Sequence, residues 1–242
     1  MIDKVLSLGP ALFDLFIPPI CSVCAGPVEG RDGLLCRDCL ASFEPIGRLI
    51  CPQCGSVATK RPSGRCPNCP HGKIWFDGAR AAYRYTGSLP ETFHMFKYSR
   101  HPELGEPLAR LMFMALNDAF GDSFPKPEAL VPVPLHFFRR FQRGFNQSQI
   151  LAEEFGRLAQ IECRTDLLER VRYTPRQALL PPERRARNVL GAFAVTDPAQ
   201  VRGKHLAIVD DILTSGSTVN ECARMLDGAG AASVQVLAVA RA

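Results

Sequence analysis

The sequence predicts an α/β fold built on a mostly parallel sheet, preceded by a small cysteine-rich module. Three observations predict it. Leu206-Ala207-Ile208-Val209 is an unbroken apolar run, the pattern of a strand buried on both faces. It leads through Asp210-Asp211 and a loop of small hydroxyl residues into helical spacing at Val219, Cys222, Met225 and Leu226. A second strand–loop–helix unit runs from Leu130-Val131-Pro132-Val133-Pro134 to Ile150, Leu151, Phe155 and Leu158, and such alternation builds parallel sheets. Finally, eight of the ten cysteines fall in the first seventy residues, all in C-x-x-C pairs.

Composition bounds the rest. A chain of 242 residues accommodates one large or two small domains, and 46% hydrophobic residues supply a core. A net charge of +5 is compatible with phosphorylated ligands or nucleic acid and selects neither. No stretch approaches the ~20 apolar residues of a membrane helix, so membrane association is expected to be peripheral at most. The opening residues, with Asp3, Pro10 and Asp14, lack the pattern of a secretory signal. The paired thiols are therefore expected to bind metal in the cytoplasm and not to form disulfides. No G-x-x-x-x-G-K-[ST] motif occurs, which argues against an NTPase.

In chain order, Met1 to Phe16 carries a rough apolar stripe broken at Gly9-Pro10 and stopped by Pro18-Pro19. It is expected to pack as a helix on the neighbouring domain, with a partner- or membrane-facing surface as the alternative. Then come Cys21-x-x-Cys24, Cys36-x-x-Cys39, Cys51-x-x-Cys54 and Cys66-x-x-Cys69. Eleven residues separate Cys24 from Cys36, and eleven separate Cys54 from Cys66, so the segment reads as a duplicated zinc ribbon. Serial pairing is expected: Cys21, Cys24, Cys36 and Cys39 on one Zn²⁺, Cys51, Cys54, Cys66 and Cys69 on the other. An interleaved brace fits the same spacing. Four thiolates close each site, which makes both ions structural. Basic residues of this module (Arg31, Arg37, Lys60, Arg61, Arg65) suit nucleic acid or a protein partner. The module is expected to span 1–72 and a larger domain 73–242.

Asp77 to Thr86 reads as a strand or hairpin arm, and Leu89 to Tyr98 and Pro107 to Asp118 as helices, with Lys97 solvated or phosphate-facing. After Pro134 a basic loop is expected to carry Arg139, Arg140 and Arg143, followed by a helix from Ser148 to Leu158. Leu167 to Val171, Phe193 to Val195 and Ser233 to Ala240 read as strands, the last closing the sheet. The polar, Pro-containing stretch Tyr173 to Pro182 is expected to be a lid-like loop. Arg184, Arg185 and Arg187 read as helix surface charges, and Cys163 and Cys222 as small core residues.

The segment from Val209 to Thr218 is a strand end, a small-residue turn and a helix N-terminus, which together suit an anion. Val-Asp-Asp-Ile-Leu-Thr-Ser-Gly-Ser-Thr resembles the PRPP-binding signature of type I phosphoribosyltransferases. The resemblance implies a Rossmann-like sheet flanked by helices and Mg²⁺ bound with PRPP. It further implies ribose binding and catalytic orientation by Asp210 and Asp211, and a 5′-phosphate cradle of Thr214, Ser215, Gly216, Ser217 and Thr218. Ser215 stands where that family usually has a second Thr. The same resemblance assigns Arg139, Arg140 and Arg143 to the pyrophosphate.

The cysteine pairs, Val-Pro-Val-Pro, Arg-Gly-Phe-Asn-Gln, Arg-Asn-Val-x-Gly-Ala-Phe and the acidic signature occur in the order found in the ComF family, which the chain closely resembles over nearly its whole length. That resemblance implies a phosphoribosyltransferase-like protein associated with DNA uptake in natural transformation or with use of external DNA. An enzyme of this kind would displace pyrophosphate at C1 of PRPP, and no residue marks the acceptor. The competing expectation is an adaptor that binds a phosphoribosyl ligand or single-stranded DNA and docks a competence helicase.

Overall fold

A computed structural model describes residues 19–29, 33–58, 60, 65–70, 72–98, 101–116, 125–175, 177 and 180–242. The expected helix at Met1–Phe16 lies outside them, as do Arg31, Arg61 and the end of the helix expected to reach Asp118. Five parallel strands form the main sheet in the order β1 (Gly78–Arg84), β7 (Ser233–Arg241), β6 (His205–Leu213), β2 (Ala129–Pro132), β3 (Glu162–Cys163). A separate antiparallel pair joins β4 (Leu168–Arg170) to β5 (Phe193–Val195).

The apolar run of β6 is divided between two cores because successive side chains of a strand point to opposite faces. Ala207 and Val209 join a core with Phe93, Phe96, Leu108, Met112 and Phe155. Leu206 and Ile208 join the other, with Val219, Cys222, Leu226 and Phe193. Helix α1 (Arg37–Ala41) belongs to the cysteine module. The first face of the sheet is covered by α2 (Leu89–Tyr98), α3 (Gly105–Leu116) and α5 (Gln147–Ala159), while α4 (Phe137–Arg143) lies outside both cores. The second face is covered by α6 (Pro182–Val189) and α7 (Ser217–Gly228) with the β4–β5 pair. The fully buried phenylalanines each contribute on the order of 2–3 kcal/mol of apolar burial. Among the described residues no helix is long and apolar enough to cross a membrane.

The cysteine module lies along the β1 edge. Its segment at 44–46 pairs with that strand: Pro45 bridges Tyr83, Ile46 N–H donates to Ala82 O at 2.9 Å and Arg84 N–H to Glu44 O at 2.8 Å. An edge strand with unpaired backbone groups is thereby covered. Cys21, Cys36 and Cys39 are buried in the same core as Phe43 and Phe93, beside α1.

Three expectations are corrected. β7 does not close the sheet; it lies between β1 and β6, because β1, with Gly78 opposite Gln235, pairs along its outer side and takes the edge. β6 continues through the aspartates to Leu213, held by pairing of Ile212 and Leu213 with Ala240 and Arg241. The expected basic loop after Pro134 is instead helix α4, started by His136 Nδ1, which accepts from Phe138 N–H, and stopped by Gly144 at φ 85°. That φ lies in the left-handed region glycine tolerates, a common helix end.

Candidate functional site

Asp210 and Asp211 sit near the carboxyl end of β6, where parallel sheets leave room for ligands. Each carboxylate is held by local donors. Asp210 Oδ1 accepts from Asp211 N–H at 2.9 Å and from Ser148 Oγ at 3.0 Å, and Asp211 Oδ1 accepts from Ile212 N–H at 2.7 Å. The second Asp211 oxygen pairs with Lys97 Nζ at 2.8 Å, both side chains being largely enclosed. Burial, and then the negative charge of Asp211, push the Asp210 carboxyl up to about 7 against the opposing pull of the Asp211 amide, Lys97 and Ser148.

The turn beyond the acidic pair is Thr214-Ser215-Gly216, with Gly216 at φ 71°, and α7 begins at Ser217. Among the described residues no side chain caps this helix start. Ser215 Oγ lies 2.9 Å from Ser217 Oγ, and Ser217 N–H reaches Ser215 Oγ at a long 3.4 Å. The amides of Ser215, Gly216 and Thr218 have no acceptor among the described residues. Unpaired amides at the positive end of a helix, ringed by hydroxyls, form an anion cradle. Gln177 Nε2 donates to Thr218 Oγ1 at 3.3 Å and so lies over the turn.

Asp210, Asp211, Thr214 and Thr218 line a cavity of about 600 Å³ together with Lys97, Arg139, Arg143, Gln147, Ser148 and Arg170. The structure thus brings Arg139 and Arg143 to the acidic pair; Arg140 is exposed and does not line the cavity. Arg139 donates to Thr174 O at 2.6 Å and lies over the Tyr173 ring, while Arg143 donates to Gln147 Oε1 at 2.9 Å and lies over Tyr98. Burial, and then the charge of Arg139, lower the Arg170 guanidinium to about 10. Gln147 Nε2 and Arg170 Nε are buried without an acceptor among the described residues. Several cations and undirected donors therefore face two carboxylates across one cavity, a complement to a ligand that carries both phosphate charge and hydroxyl groups.

The cysteines converge serially: the sulfurs of Cys21, Cys24, Cys36 and Cys39 all lie within 4.8 Å of one another, as do those of Cys51, Cys54, Cys66 and Cys69. A tetrahedron with metal–sulfur bonds of about 2.3 Å has edges of about 3.8 Å. The observed separations include 3.8 Å for Cys21–Cys39, 3.5 Å for Cys24–Cys36, 3.8 Å for Cys51–Cys69 and 3.3 Å for Cys54–Cys66. Val23 and Gly26 amides donate to Cys21 and Cys24 sulfur at 3.4 Å, the arrangement that supports thiolates. Burial raises the Cys21 and Cys51 thiols, yet neighbouring amides outweigh it and bring each down to about 6. Both sets fit a tetrahedral thiophilic cation.

The sequence offered weak signals for several of these side chains. Lys97 lies over a hundred residues from Asp211, and only the packing of α2 beside β6 joins them. Ser148 reads as a helix-start residue, which it also is, since Asn146 caps it at 3.2 Å. Arg170 carries no motif, and Gln147 ends the Arg-Gly-Phe-Asn-Gln motif without a sign of its role; the buried, unpartnered nitrogen of each is visible only in the fold.

A family model for the phosphoribosyl transferase domain matches residues 142–242, and one for the double zinc ribbon domain matches residues 12–70. The DNA utilization protein YhgH of Escherichia coli (strain K12) is 34% identical over 230 residues, covering 94% of this chain and 99% of that protein. Competence protein F of Haemophilus influenzae is 30% identical over 224 residues, 92% of this chain and 96% of that protein. Competence protein ComFC of Streptococcus pneumoniae is 28% identical over 222 residues, 88% and 90% of the two chains.

Proposed function

The chain belongs to the ComF family, whose members join a double zinc ribbon to a phosphoribosyltransferase domain, and from that membership we propose that it binds PRPP with Mg²⁺ and transfers the phosphoribosyl group. One observation carries this reading. Asp210, Asp211, Thr214 and Thr218 line one cavity with Arg139 and Arg143, and Ser215, Gly216 and Ser217 line a small pocket that shares Asp210, Thr214 and Thr218 with it. Asp210 and Asp211 accept the ribose hydroxyls; Thr214 to Thr218 hold the 5′-phosphate; Arg139 and Arg143 meet the pyrophosphate. The C1–oxygen bond to pyrophosphate breaks as a bond to the acceptor forms. The protein's work is to hold both charged ends and exclude water. The two carboxylates are oxygen donors suited to Mg²⁺ bound with a pyrophosphate, which when present neutralises the leaving group. Each ribbon holds one structural Zn²⁺, and eight reduced thiols suit the reducing cytoplasm. The names of its relatives point to handling of external DNA. Calorimetry with PRPP and Mg²⁺, followed by pyrophosphate release over a panel of bases, tests the proposal; absence of PRPP binding ends it.

The elevated Asp210 pKa sets a pH dependence. Ribose hydroxyls donate to the ionised carboxylate, so PRPP binding should tighten as pH rises through about 7 and level off above it. Below that point affinity should fall by up to about tenfold per pH unit, with close to one proton released per ligand bound. The same upward shift makes the ionised group a burden on the fold, so stability should decline as pH rises from the ordinary carboxylate range to about 7. Calorimetry at about pH 6 to 8 in buffers of differing protonation enthalpy checks this, and a flat profile contradicts it.

A second reading, an adaptor that grips single-stranded DNA, is favoured by one surface. Helix α4 buries none of its residues, and Phe137, Phe138 and Phe141 are 72, 65 and 82% exposed beside Arg139, Arg140 and Tyr173. Bases stack on exposed rings for about 1–3 kcal/mol each. Replacing both Phe137 and Phe141 by Ala should weaken a labelled oligo-dT by about tenfold or more in anisotropy titrations without changing the salt slope. An unchanged affinity removes this reading.

A further inference from the structure

Arg241, at the end of β7, is 8% exposed, and no carboxylate pairs with it among the described residues. Its guanidinium instead bridges three separate pieces of chain. Nε and Nη2 donate to Ser56 Oγ at 3.0 and 2.7 Å, Nη2 also donates to Asn68 O at 3.2 Å, and Nη1 donates to Thr214 O. Ser56 comes just after the Cys51–Cys54 turn, Asn68 lies within the Cys66–Cys69 turn, and Thr214 opens the anion cradle. Ser56 Oγ is 3.2 Å from Cys54 Sγ. While Cys54 is a thiolate, the hydroxyl can donate to it and still accept from the guanidinium. Four thiolates around one Zn²⁺ would carry a net charge of −2 and so supply, through Ser56 and the Cys66–Cys69 turn, a counter-charge for this buried cation.

The second ribbon touches the cradle elsewhere too. Pro70, next to Cys69, lies 3.0 Å from where a Cβ on Gly216 would stand. Trp75 N–H donates to Asn220 Oδ1 at 2.8 Å, tying the first turn of α7 to the chain leaving the ribbon. Among the described residues the first cluster has no such link: its turns bond to one another, to Ser88 and to the β1 edge.

We propose that Arg241 is a positioning residue that couples the Cys51–Cys54–Cys66–Cys69 cluster to the phosphate cradle, so that metal at this cluster and an anion in the turn stabilise each other. The proposal rests on the phosphoribosyl reading. It predicts asymmetry between two otherwise equivalent metal sites. By reciprocity, whatever metal adds to anion affinity, the anion adds to metal retention.

The test uses the full zinc-loaded chain. PRPP with Mg²⁺ is first titrated by calorimetry, and zinc transfer to a chromogenic chelator is then measured with and without saturating PRPP. One of the two zinc equivalents should leave about fivefold or more slowly with PRPP present, and the other at an unchanged rate. Arg241→Met should retain both zincs, bind PRPP about tenfold more weakly and lose the selective protection. Ser56→Ala, which removes only the bridging hydroxyl, should lose the protection as well, and serves if Arg241→Met does not fold. PRPP that binds while both equivalents leave at unchanged or equally slowed rates overturns the coupling and leaves the binding reading intact. Failure of PRPP to bind the unaltered chain overturns the reading beneath it.

Discussion

Replacing Asp210 with Asn is expected to reduce PRPP affinity by about 10- to 100-fold while leaving thermal stability unchanged or raised. The first effect comes from loss of a charged acceptor, whose hydrogen bonds are worth about 1.5–3 kcal/mol. The second comes from the surroundings of this carboxyl. The amide retains Oδ1, which accepts from Asp211 N–H and Ser148 Oγ, and it removes a charge that burial and Asp211 disfavour. A residue with only a structural role would show the opposite pair of results, lower stability with binding intact. Calorimetry and a thermal melt on one preparation separate them. If the Asp210→Asn variant binds PRPP as the unaltered chain does, Asp210 is not part of a ribose site.

Removal of the metal is expected to have the larger effect on the fold. Apparent zinc binding in four-ligand modules is about 10–16 kcal/mol, as large as the whole stability of a typical domain. The first cluster is not an appendage: Cys21, Cys36 and Cys39 pack in one core with Phe43, Leu89 and Phe93, and segment 44–46 covers the edge of β1. Metal analysis should return two zinc per chain. Chelation, or Cys39→Ser, should lower the melting temperature by about 10 °C or more, beyond simple loss of the module. A metal-free chain that melts at the same temperature would show that the thiols close the module without an ion.

Helix and strand positions are legible in the sequence wherever a residue's near neighbours decide its state. Leu89–Tyr98 and Phe193–Val195 have the limits their apolar spacing predicts. β3, only two residues long, escapes because its pairing with Ala129 and Leu130 and not its composition makes it a strand. The segment after Pro134 reads as a loop since its arginine and glutamine residues hide a short helix whose aromatic side chains find no core. For the site, the acidic pair and hydroxyl turn are readable as one contiguous motif. Lys97, Ser148, Gln147 and Arg170 are not, because each reaches the cavity from a place remote in sequence from that motif.

Whatever depends on spacing along the chain is written in the residues themselves. C-x-x-C turns bring two thiols together within four residues, alternation within β6 serves two cores, and a strand running into small residues and a helix start leaves amides without acceptors. Whatever depends on charges meeting through space waits for the fold. Packing sets Lys97 against Asp211, raises the Asp210 carboxyl, brings Arg139 but not Arg140 to the cavity, and puts Arg241 between a cysteine cluster and the cradle. Electrostatic energy depends on separation and burial, and neither can be counted in residues.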